Sequence, residues 1–118
     1  MRNKNLYSIE CQETTPFLSA EEAWFWCCLC EQMKSNHPTY RPHRIVRPCD
    51  AADILVAVRR LQQEGKLRPS HIRVLSKYGV SQVPPHPHFG DSSKICALWK
   101  EALSFLNTIL VRKGIVSV

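Results

Sequence analysis

Glycine and proline constrain this chain more than any other feature. Proline carries no backbone N–H and its ring clashes with the preceding turn, so helices run only where it is absent or at their first residue. The eight prolines (Pro16, Pro38, Pro42, Pro48, Pro69, Pro84, Pro85, Pro87) all fall outside the periodic apolar stretches, and the four glycines (Gly65, Gly79, Gly90, Gly114) sit at their edges. Gly65, Gly79 and Gly114 are expected as C-terminal caps, where glycine takes a left-handed backbone freely. This punctuation predicts four helices in a compact all-α fold, with two long loops over 36–48 and 80–90. In 118 residues there is room for one hydrophobic core, so the chain divides into an N-terminal arm over 1–18 and one helical domain over 19–118.

The first helix is expected over 20–35, opened by Ser19 and Glu22 as a capping box. At 100° per residue, Ala23, Trp26, Cys27, Cys30 and Met33 form the core-facing stripe. Trp24, Phe25 and Cys28 then point away from it. Two large aromatics on a solvated face call for a cover, either the arm (Leu6, Tyr7, Ile9) or a second subunit, which makes these three residues the candidate partner-binding site. The second helix, over 51–64, starts at Asp50 and buries Ala51, Ile54, Val58 and Leu61. The third is short, over 69–78, and buries Ile72 and Leu75. The fourth, over 92–113, carries the clearest stripe, with Leu98, Trp99, Leu106 and Ile109 expected to be almost fully buried. Ile115 to Val118 forms either a short strand or a tail packed on the core.

The aromatic helix, the Arg47-Pro48-Cys49-Asp50 step, His71-Ile72-Arg73-Val74-Leu75 with Tyr78-Gly79, the Leu98-Trp99-Lys100-Glu101-Ala102-Leu103 run and the Lys113-Gly114-Ile115-Val116 ending occur in this order. In these landmarks the chain resembles a family of small bacterial proteins of uncharacterised function. The likeness covers residues 20–116 and implies a cytoplasmic bacterial setting. Val74-Leu75, Tyr78-Gly79 and the helix bearing Glu101-Ala102-Leu103 and Leu106 are also similar to DNA-binding region 4 of sigma-like transcription factors. That family needs a short helix and a turn where this chain has Val80 to Asp91, and the proline-rich stretch Pro84 to Pro87 cannot supply a normal helix.

Charge is unevenly placed. Residues 41–77 hold nine basic side chains against three acidic ones, and so account for a net charge equal to the whole chain's +6. A concentration of this kind is the footprint of phosphate-backbone binding. Arg41, Arg44, Arg47, Arg59, Arg60, Arg68, Arg73 and Lys77 are therefore the candidate nucleic-acid contacts, with a solvated, internally paired surface as the plainer alternative.

Reactive chemistry is sparse. Cys27 and Cys30 with His37 and His43 have the order of a zinc site, but the cysteine pair lies within an aromatic helix, where thiols act as small apolar filler. No metal and no cofactor are expected. Cys49 is the candidate reactive thiol, because a helix start and Arg47 favour thiolate while Asp50 opposes it. Four glycines, all used as punctuation, leave none to cradle a nucleotide. The longest apolar run, Ala23 to Cys30, is far short of a membrane span of ~20 residues, and no secretory signal opens the chain. The expectation is a small non-catalytic cytoplasmic adaptor that binds a protein partner or a second copy of itself, with nucleic-acid binding as the alternative.

Overall fold

Short side-chain caps set where three of the four helices begin. In the computed structural model, which describes residues 13–36 and 45–118, helix α1 spans Ala20–Asn36, α2 Ala51–Gln63, α3 Pro69–Ser81 and α4 Ser93–Arg112. Ser19 Oγ accepts the Glu22 amide at 3.1 Å, and Glu22 Oε1 reaches back to the Leu18 amide at 2.7 Å. Asp53 Oδ2 accepts the Asp50 amide at 2.9 Å before α2, and Ser92 Oγ accepts the Ile95 amide at 3.2 Å before α4. Each of these bonds satisfies an amide that has no partner within the helix. Gly65 and Gly114 close α2 and α4 with φ of 78°, as expected of C-terminal glycines.

The third helix departs from expectation. It runs on through Gly79 to Ser81 and ends at Gln82, whose φ is 62°. Gly79 is not a cap. It lies inside the helix because α1 comes too close for a side chain there: a Cβ would stand 2.5 Å from Cys28 Sγ and 2.8 Å from Trp24 Nε1. Gly79→Ala should therefore destabilise the protein by about 1–3 kcal/mol through overpacking. That outweighs the roughly 1 kcal/mol by which alanine favours a helix over glycine. Urea unfolding of Gly79→Ala, alone and with Cys28→Ala, measures it: part of the loss should return in the double variant, and a stabilised single variant would mean that the two helices do not touch there.

The fold is all-α. Among the described residues there is no sheet, only one parallel bridge between Phe17 and Val116. Helix α4 packs against each of the other three. It contributes Trp99, Ala102, Leu106 and Leu110 to a core completed by Ile54, Ala57, Val58 and Leu61 of α2 and by Val74, Leu75 and Tyr78 of α3. Of the four α4 residues expected in the core, Trp99 and Leu106 are buried, whereas Leu98 and Ile109 are only partly covered.

The N-terminal boundary also moves. Phe17, assigned to the arm, is fully buried: its amide donates to the Ile115 carbonyl at 2.9 Å and its carbonyl accepts from Ser117 at 2.8 Å. Ile115 and Val116 are buried with it, so the last residues are a tail docked on the core rather than a strand. No described helix is long and apolar enough to cross a membrane.

Candidate functional site: a basic cleft between two helices

Arg73 and Lys77 stand four residues apart on α3, hence on one face, and both are exposed. Lys94, in the first turn of α4, stands across from them. The three cations rim a cleft of about 480 Å³ whose apolar lining comes from Val74, Ile95 and Leu98. Among the described residues no carboxylate lines it. Asp91 stands beside it: its Oδ1 accepts the Tyr78 hydroxyl at 2.5 Å, its Oδ2 accepts the His86 amide at 2.9 Å, and it attracts Lys77. The hydrogen bond from Tyr78 first, and then that from the His86 amide, hold the Asp91 carboxyl below its ordinary range. The same bond, with lesser help from burial, pushes the Tyr78 phenol up to about 12.

A buried polar clip holds α3 on α4 beside this cleft. His71 is 1% exposed. Its Nδ1 accepts the Arg68 amide at 3.0 Å, which leaves the ring proton on Nε2 to donate to Glu101 Oε1 at 2.6 Å. Phe105 meets the ring edge-on, with 6.5 Å between centroids. Glu101 also pairs with Arg68 at 3.6 Å. One histidine thus caps the start of α3 and ties it to α4 through Glu101.

The expected partner-binding residues lie elsewhere and are covered by the chain itself. Trp24 is 6% exposed and donates Nε1–H to the Leu75 carbonyl at 2.9 Å. Phe25 packs on Trp99, with 5.6 Å between centroids. Cys28 faces Gly79. Helices α3 and α4 cover this side of α1, which corrects the expectation that Trp24, Phe25 and Cys28 point away from the core.

Among the described residues, the basic side chains of the segment are divided between several places in the fold. Arg41, Arg44, His37 and His43 lie outside the described residues. Arg47 is structural, with its side chain 10% exposed: its guanidinium lies 4.2 Å above the Phe17 ring, donates to the Thr15 carbonyl at 3.1 Å and stands 3.9 Å from Glu22. It clamps the segment around Phe17 and is not available to a phosphate. Arg59 is exposed, Arg60 pairs with Glu64 at 3.3 Å, and Arg68 is held by Glu101. Of the expected contacts among the described residues, Arg73 and Lys77 reach the cleft, where Lys94, Ile95 and Leu98 join them.

Four thiols are held in their protonated form by their surroundings. Burial, then Asp53 and Asp50, push Cys49 up to about 11 against the opposing pull of Arg47, so the expected thiolate preference is reversed. Burial likewise raises Cys27, Cys28 and Cys30. Cys27 is fully buried with its thiol directed at the Ala51 carbonyl, 3.4 Å away, as apolar filler would be. No cluster of three or more potential metal ligands occurs among the described residues. Comparison of the chain with family models, curated proteins and solved structures finds no match.

Proposed function

We propose that the protein is a non-catalytic adaptor that docks an acidic, amphipathic segment of a partner protein between α3 and α4. The cleft carries this reading: three cations, no lining carboxylate among the described residues, and an apolar lining of Val74, Ile95 and Leu98. An amphipathic helix laid in a groove matches both features, with its apolar residues at i, i+3 and i+4 on the lining and its carboxylates on the rim. Charge of one sign over low-dielectric walls focuses the field and speeds the encounter with an acidic partner. The non-catalytic reading is supported by Cys27, Cys28, Cys49 and the Tyr78 phenol, each pushed further from neutrality. Cys27, Cys28, Cys30, Cys49 and Cys96 are unbridged, which supports a reducing, cytoplasmic setting.

The probe is a synthetic helical peptide with leucines at helical spacing and glutamates elsewhere, followed by fluorescence anisotropy. Binding should weaken at least tenfold in Leu98→Asp and in the Lys77→Glu, Lys94→Glu double variant, and should weaken with added salt as screening shortens the reach of the charges. The same peptide with lysine in place of glutamate should not bind. Equal affinity for the two peptides, or affinity indifferent to both variants, would sink the reading.

A further inference from the structure

The far end of α4 carries a second charged cleft, of about 370 Å³. Lys94 and Arg112 are separated by five helical turns, about 27 Å along the axis, yet 18 residues at 100° each bring them back to the same face. The two clefts therefore lie on one line along α4, with Glu101 and Arg68 between them.

Four cations from three parts of the chain meet at this second cleft. Arg60 comes from the last turn of α2, Lys66 from the turn after it, and Arg112 and Lys113 from the end of α4. Its one carboxylate, Glu64, is shared by Arg60 at 3.3 Å and Lys66 at 3.7 Å. Arg112 and Lys113 make no ion pair with the described residues. One or two cations would answer the negative ends of the helices. Four against a single carboxylate exceed that need and repel one another. The lining includes Leu61, Phe105 and Ile109, an apolar backing that strengthens the field above it.

We infer that this cleft binds a run of phosphate groups carrying about three negative charges, enough to match the charge left after Glu64 is paired. The planar guanidinium of Arg60 or Arg112 takes two oxygens of one phosphate, and the lysines serve as point charges on its neighbours. Such a run is found in a free polyphosphate chain and in a nucleic-acid backbone. The inference is independent of the adaptor reading, since no lining residue is shared between the clefts.

The test titrates full-length protein with sodium tripolyphosphate, with orthophosphate and with a short DNA duplex, at low salt, by calorimetry and amide chemical shifts. Tripolyphosphate should bind at least tenfold more tightly than orthophosphate and shift amides around Lys66 and Lys113. Arg60→Gln with Arg112→Gln should weaken it at least tenfold with an unchanged circular dichroism spectrum, because both side chains project from the core. Arg73→Gln with Lys77→Gln should leave it intact. Duplex that displaces tripolyphosphate identifies a nucleic-acid backbone as the source, and duplex that does not identifies the free chain; either supports the site. No binding of tripolyphosphate, or binding undiminished by the Arg60 and Arg112 substitutions, overturns it.

Discussion

Trp24→Ala should lower stability by about 3–5 kcal/mol, the range for removing a buried aromatic, with no change in the protein's mass in solution. The indole is buried between α1 and α3, bonded to the Leu75 carbonyl and set against Gly79, so its removal opens a void that two helices line. Trp24→Phe separates the contributions. It keeps most of the ring but gives up the hydrogen bond, and should cost about 1 kcal/mol for that bond plus the smaller void. Urea unfolding gives both differences, and sedimentation gives the mass. A variant of normal stability and altered mass would return Trp24 to the role of a partner contact.

Leu106→Ala should cost about 2–5 kcal/mol. Leu106 is fully buried at the middle of the helix that touches all three others, so the surroundings can collapse only partly into the space left. Leu98→Ala supplies the internal comparison. Leu98 is only partly covered and lines the cleft, so the same truncation removes less burial and should cost distinctly less. The comparison is made on urea midpoints at constant m-value. Equal losses at the two positions would mean that the cleft is closed over Leu98 in solution.

Helix number and helix starts were legible because capping residues and proline act locally. Ser19, Asp50, Pro69 and Ser92 stand where a backbone amide needs a partner or can be dispensed with, whatever the rest of the chain does. Gly79 was misread because glycine answers two different demands, a left-handed backbone and a close approach, and only the approach of Trp24 and Cys28 distinguishes them. The side assigned to Trp24 failed for a related reason. Helix α1 contacts α2, α3 and α4, so it is apolar on several sides and a single stripe cannot identify its one exposed face. The candidate site was half legible. Arg73 and Lys77 stood out by charge, but a count along the sequence cannot show that Phe17 lies beneath Arg47, or that Lys94 comes opposite Lys77.

The pairing of Phe17 with the Ile115–Ser117 segment sets a timetable for biosynthesis. A ribosome adds roughly 5–20 residues per second, so roughly 5–20 seconds separate the addition of Phe17 from that of Val116. Throughout that interval the Phe17 ring has no tail to cover it, and Trp26, which packs against it at 5.1 Å, is uncovered on the same side. Helices α1 to α3 can assemble while α4 is still being made, but until Ile115–Ser117 is made the Phe17 backbone lacks its partner and its ring has Trp26 and Arg47, but not the tail, against it. Chaperones that hold exposed aromatic segments have that whole interval in which to engage it, and slower translation lengthens it.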